Sequence, residues 1–232
     1  MCGRFSLTSP IEAMRQLFNF NERPNLSLAY NIAPTTKIAA IRRGTIPHTK
    51  KTQLFMPQWG LIPSWEKTAG NAAKLINARS ETVNTKPSFR EAFKAKRCLI
   101  PCNGFYEWKI QEDGSKQPYF IYASVGGLFA FAGLWEQWVS PEKDIIESCT
   151  ILTMPATDSI SEIHHRMPVS LLPEHYDEWL QEDPSMSIPH PTEQVAFSHH
   201  PVSKKVGNVR NNDADLQQEV ELPIIHTQSS LF

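Results

Sequence analysis

"CLIPCNGFYEWKI", residues 98–110, is the stretch from which the fold of this 232-residue chain is read. It is rich in β-formers and carries the turn-prone residues Pro101, Asn103 and Gly104. Runs of the same kind surround it: "TKIAAIRR" (36–43), "QLFMPQWG" (53–60), "PYFIYAS" (118–124), "LFAFAGLWEQW" (128–138) and "SCTILTMPA" (148–156). Each predicts a short strand. "QEDGSKQ" (111–117) holds an Asp-Gly pair and predicts a hairpin turn or short loop. Eighteen prolines spread along the chain favour many short elements over a few long ones.

Helices are expected at the margins. In "SPIEAMRQLFNF" (9–20), Ser9 is placed to cap, Pro10 to open the helix and Glu12 to complete a capping box. Ile11, Met14, Leu17 and Phe18 then form an apolar stripe. The same grammar returns in "SFREAFKAKR" (88–97), with Ser88 and Glu91 as the box and Phe89 and Phe93 on one side. A third helix is expected around Pro173 to Leu180. No repeat or low-complexity linker interrupts the chain. The expectation is an α+β fold: one compact domain over residues 1–232, with a strongly bent, barrel-like mixed or antiparallel sheet and a few peripheral helices. The tail from about residue 222 is expected to be loose.

Composition excludes some classes. With 41% hydrophobic and 20% charged residues the chain can build a core, and no run of 18 apolar residues predicts a membrane span. "CGRFSLTSPIEAM" lacks the pattern of a signal peptide, so a cytoplasmic protein with reduced cysteines is expected. "CLIPC" and the His164–His165 pair lack the spacing of a structural zinc site, so no metal and no cofactor is expected. The net charge of −1 hides a division: residues 1–110 hold 17 Lys and Arg against 6 Asp and Glu, and residues 111–232 hold 6 against 18. A basic face able to meet a polyanion is therefore permitted, though not required.

Cys2 follows Met1 directly. One reading makes it a small apolar residue packed under the first strand. The other removes Met1, leaving a thiol and a free α-amine on adjacent carbons. Reference pKa values of about 7.7–8.0 for the amine and about 8.5 for the thiol leave both partly nucleophilic at neutral pH. Such an aminothiol forms an imine with an aldehyde and then closes a thiazolidine ring, which an internal cysteine cannot do. Other polar residues stand beside apolar runs: Asn31 in "YNIAP", Asn77, Arg79 and Glu81 in "LINARSET", Glu107 in "NGFYEWK", and His164, His165 and Arg166 in "EIHHRMP". An ordinary role is open to each: Asn31 capping a turn, Arg79 and Glu81 pairing on the surface, Glu107 on the solvated side of a strand. Together they form a kit for carbonyl chemistry.

"MCGRF", "YNIAP", "LINARSET", "NGFYEWK", "EIHHRMP" and "VGNVRN" occur in an order and spacing that resembles the SOS response-associated peptidase (SRAP) family of abasic-site processing proteins. The resemblance spans Cys2 to about Asn211. It implies a single α+β domain that binds single-stranded DNA at abasic sites; nothing in the sequence demands more than a monomer or an obligate protein partner. It also implies that the processed Cys2 links covalently to the sugar aldehyde, with self-removal of Met1 and associated lyase activity. On that resemblance Asn77 orients the amine or the sugar, Glu107 is the acid/base carboxylate, and His164 assists ring opening and reversal. Arg4, Asn31, Pro34, Arg79, Lys86, Trp108 and Arg166 line the DNA cleft, with arginines on phosphates and aromatics under unpaired bases. The chain departs from the pattern at Pro87, where an Arg is common and Lys86 supplies a charge without the fork. His165 stands where an acidic residue is common, and "WEKTAGNAAK" (65–74) is slightly long. A peptidase with an N-terminal nucleophile and a non-catalytic single-strand binder are the alternative functions.

Overall fold

Residues 98–110 do not form one strand. The computed structural model describes residues 2–44, 51–181, 188 and 194–222, and it breaks the run at Asn103. Fourteen strands form among the described residues. In chain order they are β1 (Phe5–Leu7), β2 (Ala29–Ile32), β3 (Ala40–Arg43), β4 (Thr52–Phe55), β5 (Gln58–Trp59), β6 (Asn77–Arg79) and β7 (Arg97–Cys102). They continue with β8 (Gly104–Ile110), β9 (Lys116–Ala123), β10 (Phe129–Val139), β11 (Ile145–Pro155), β12 (Arg166–Pro168), β13 (Ser170–Leu171) and β14 (Phe197–Pro201).

One antiparallel sheet has the order β14-β9-β8-β1-β2. The other runs β12-β11-β10-β7-β3-β4, with β13 on β10 and with β5 and β6 parallel to β11. The chain therefore crosses between sheets at Asn103. This residue also ties down the start of the first helix: its Oδ1 accepts from the backbone N–H groups of Thr8 and Ser9 at 2.8 and 3.0 Å. Gly104 is required next, because a Cβ there would lie 2.4 Å from the Phe120 ring and 2.7 Å from the Ile121 carbonyl. The α+β expectation holds, but neither sheet closes, so "barrel-like" describes only two open sheets whose side chains pack against each other.

Aromatic rings fill the space between the sheets. Phe5 and Phe105 are cross-strand partners on β1 and β8, and both meet Phe131 of β10 edge-on, at 6.0 and 5.8 Å. Trp59 of β5 closes on Phe5 at 5.2 Å. All four are almost wholly buried, each contributing about 1.5–3 kcal/mol of apolar burial. The hairpin at 111–117 forms as expected, with Gly114 at φ +78° and Asp113 accepting from the Ser115 N–H at 2.8 Å.

The helices are α1 (Ile11–Phe18), α2 (Arg90–Ala95), α3 (Asp158–Ser161) and α4 (Tyr176–Trp179). Phe89 and Phe93 are both buried, as the spacing requires. The capping boxes do not form. Pro10 and Phe89 occupy the cap positions without side-chain cap bonds. Ser9 Oγ accepts from the Asn103 amide instead, and Glu12 pairs with Arg15 at 2.7 Å. A tertiary partner has displaced the local one. The expectation of a loose tail lies outside the described residues beyond 222, as does Met1.

Candidate active site

Since β1 is held between β8 and β2, the residues preceding it are fixed where the two sheets meet. Cys2 is fully buried. Its carbonyl accepts from Asn77 Nδ2 at 2.8 Å, and Asn77 opens β6 in the nine-stranded sheet. Its thiol lies 3.9 Å from the Arg4 carbonyl. Burial pushes the thiol well above the usual range, and the Glu107 charge pushes the same way, which places Glu107 in its electrostatic neighbourhood. The buried reading of Cys2 and its placement beside the polar residues are thus both true.

Glu107 belongs to β8 in the five-stranded sheet and is 3% exposed, so it is not on a solvated strand face. Burial raises its carboxyl above the ordinary range, with His165 among the groups that pull against the shift. Glu107, Trp108, Ile110, Lys116, His164 and Gly207 line an open cavity of about 460 Å³. Its walls come from both strands of the β8–β9 hairpin, from the segment before β12 and from the loop after residue 206. His164 Nδ1 accepts from the Arg166 backbone N–H at 3.0 Å and lies 3.0 Å from the Arg166 carbonyl. The ring is served in either protonation state, because a protonated Nδ1 donates to that carbonyl. Burial lowers the His164 pKa, keeping the imidazole neutral at neutral pH, and His165 stacks on it at 4.4 Å.

Arg4 and Asn31 are engaged within the protein. Arg4 Nη1 donates to Asn31 Oδ1 and to the Val206 carbonyl, both at 2.8 Å, and its guanidinium stands 6.0 Å from the Trp108 ring. Asn31 Nδ2 donates to the carbonyls of Val206, Asn208 and Asn211 at 3.2, 3.1 and 2.8 Å. These two side chains shape the 206–211 loop from β2 and from the chain start. Pro34 lies just beyond β2 in a turn, half-buried.

The segment 75–82 is extended only over Asn77–Arg79, so these two share a strand face while Glu81 falls in the following turn. The surface pair expected between Arg79 and Glu81 is replaced. Glu81 receives both terminal nitrogens of Arg166, and Nη2 of Arg166 also donates to the Thr153 carbonyl at 2.6 Å. The Arg166 guanidinium holds the Glu81 carboxyl down at about 2. Arg79 stays exposed across from Thr153 on β11, and Lys86 is exposed before α2. Sequence reasoning missed Lys116, which faces Ile110 across the hairpin, and Thr153, which seats Arg166. Only pairing across strands reveals either.

Cys98 and Cys102 lie in β7, fully buried, and their thiols are pushed up by burial. Among the described residues no helix is long and apolar enough to cross a membrane.

One antiparallel and one mixed sheet bring Cys2, Asn77 and the buried Glu107 together, with His164 lining the same cavity as Glu107, and so define a class: an α+β protein with a cysteine, a carboxylate and a histidine at the junction of its sheets. The chain belongs to the SOS response associated peptidase (SRAP) family, whose model matches residues 1–209. It is 38% identical over 224 residues to the abasic site processing protein YoqW of Bacillus subtilis, covering 93% of this chain and 98% of that protein. It is 34% identical over 204 residues to the abasic site processing protein HMCES of Pongo abelii, covering 72% of this chain and 57% of that one. A crystal structure of a Bacteroides thetaiotaomicron protein superposes with a TM-score of 0.78 at 26% identity, covering 95% of this chain and all of that one.

Proposed function

We propose that this protein processes abasic sites in single-stranded DNA by forming a covalent crosslink through Cys2 once Met1 is removed. The observation that carries the reading is the convergence of Asn77 from one sheet and Glu107 from the other on Cys2, beside a cavity that His164 also lines. The names and lengths of the relatives support it.

The chemistry balances without a cofactor. The abasic sugar opens as its ring O4′ gains a proton and C1′ becomes an aldehyde. The Cys2 amine adds to C1′, the resulting hydroxyl leaves as water, and an iminium remains. Cys2 Sγ then bonds to the same carbon while its proton passes to a base, the iminium electron pair returning to nitrogen. A carboxyl whose pKa burial raises suits proton delivery to the departing hydroxyl, and a neutral imidazole suits taking the proton from the C1′ hydroxyl as the ring opens. A thiol kept protonated by burial waits until the iminium has formed, so amine attack comes first.

Exposed Arg79 and Lys86 serve the phosphates, and Trp108 offers a face to an unpaired base. Arg166 reaches a phosphate only in competition with Glu81. Arg4, Asn31 and Pro34 act by fixing the cleft wall. The test compares single-stranded DNA bearing one abasic site with the same undamaged strand on a denaturing gel. A slow-migrating adduct restricted to the abasic strand is expected; equal adducts with both, or none with either, overturn the proposal.

A further inference from the structure

A second cavity, of about 680 Å³, lies against the same loop. Leu7, Ile32, Pro34 and Ile38 give it an apolar lining, and Met56, 37% exposed, also lines it. Ser27 and Thr35 place hydroxyls around it, Lys37 adds a positive charge, and Thr36 and Asn212 line it with side chains that bind the Ala33 and Leu28 carbonyls. An apolar slot with a polar rim suits a planar group that has two apolar faces and a hydrogen-bonding edge.

Its position says what that group is. Gly207 lines the cavity that holds Glu107 and His164, whereas Val209 and Asn212 line this one. The two cavities are therefore the two sides of one loop. That loop is held by Asn31, whose Nδ2 binds three of its carbonyls, and by Asn212, whose Oδ1 accepts from the Tyr30 N–H at 2.7 Å. Arg210 is exposed on it, Lys205 is exposed just before it, and Lys37 is exposed on the cavity lining, so a polyanion crossing the loop meets positive charge at the crossing. Val209, 56% exposed, and Met56 leave apolar surface open on the cavity lining.

We infer that this cavity receives an unpaired nucleobase near the abasic site, from the strand as it crosses the 206–212 loop. The inference rests on the proposed function for the identity of the strand, and on the loop for the path. It makes the protein a reader of a single flanking position: a base there is stripped of water and held, whereas bases elsewhere are interchangeable.

The experiment places 2-aminopurine, or a stable tetrahydrofuran residue lacking a base, at each of the two positions on either side of the abasic site in single-stranded oligonucleotides. Affinity, 2-aminopurine fluorescence and crosslink yield are measured with the parent, Met56→Glu and Val209→Glu proteins. Omitting the base at one position is expected to weaken parent binding about tenfold, the order of one base's stacking contribution, while other omissions do little. Fluorescence at that position alone should change on binding. Both variants alter exposed side chains, and both should lose the positional effect while still crosslinking at saturating DNA. Uniform small effects at all four positions, or a positional effect equal in parent and variants, overturn the inference. Absence of any adduct with a preserved positional effect instead counts against the crosslinking reading and leaves the base cavity standing.

Discussion

Asn77 donates its side-chain N–H to the carbonyl of Cys2 at 2.8 Å, while its own Oδ1 is buried with no hydrogen-bond partner among the described residues. A buried acceptor beside the chain start is costly unless something meets it. Under the proposed function, the amine of a processed Cys2 would supply that donor. Asn77→Ala should therefore slow single-turnover crosslinking about tenfold to a hundredfold, with DNA affinity changed little. Unchanged crosslinking at saturating DNA with weakened binding would assign Asn77 to the DNA cleft instead.

Glu107 and His164 should shape the pH profile of the chemistry. Burial raises the Glu107 carboxyl, so its acid form persists above the usual carboxylate range and is lost as pH rises through the raised value. Burial lowers His164, so its neutral form persists to lower pH and is lost as pH falls through the lowered value. Glu107→Gln should slow adduct formation about tenfold to a thousandfold and flatten the limb that tracks the carboxyl. His164→Ala should slow ring opening or adduct release while the adduct still accumulates. Single-turnover formation and release across pH, with affinity measured separately, check both. Parent rates in both variants make the two residues structural.

Asn31 governs the loop more than it touches DNA. Removing an amide that satisfies three carbonyls and Arg4 should cost about 1–3 kcal/mol of stability, since the buried partners remain. Thermal melting and hydrogen exchange over residues 206–211 of Asn31→Ala should show the loss concentrated in the loop. Full protection there, with loss of DNA binding alone, would make Asn31 a direct ligand.

That role shows where sequence reading stopped. The β-rich runs, the hairpin at 111–117 and the buried Phe89–Phe93 face were legible because alternation, Asp-Gly and helical spacing are local signals. The split at Asn103 was not, since residues 97–102 and 104–110 carry one continuous β pattern and belong to different sheets. Nor was the fate of Ser9 and Glu81: their local partners lost to Asn103 and Arg166, far along the chain. Among the candidate residues, Cys2, Asn77, Glu107 and His164 were named from motif blocks. Their convergence depends on pairings such as Ile151 with Asn77 and Phe5 with Phe105, which no local pattern contains.

The Arg166–Glu81 pair carries an acid-stability signature. Glu81 is depressed to about 2 from an ordinary 4.5, so its contribution is present above the ordinary value and is lost as pH falls from there through about 2. With Glu81 half-exposed, Glu81→Gln should cost no more than about 1 kcal/mol at neutral pH. It should also remove that acid-dependent loss and strengthen binding to single-stranded DNA by freeing Arg166. Urea melts through the acid range and a salt titration check this. Arg79→Ala should lower the salt slope by about 0.7, the effect of one lost single-strand phosphate contact. Unchanged acid dependence in Glu81→Gln, or an unchanged slope in Arg79→Ala, contradicts the respective assignment.

The most direct measurement is intact mass of the protein before and after incubation with single-stranded DNA bearing one abasic site, for the parent, Cys2→Ala, Cys2→Ser and a form in which Met1 is retained. Before incubation the parent should lack Met1. Afterwards it should gain the mass of the oligonucleotide less one water, in an adduct stable to heat and detergent. Cys2→Ser should form only an imine that is lost unless reduced, and Cys2→Ala and the Met1-retaining form should give no stable adduct. A normal yield of stable adduct from a protein whose Cys2 amine is blocked would contradict crosslinking through the terminal aminothiol.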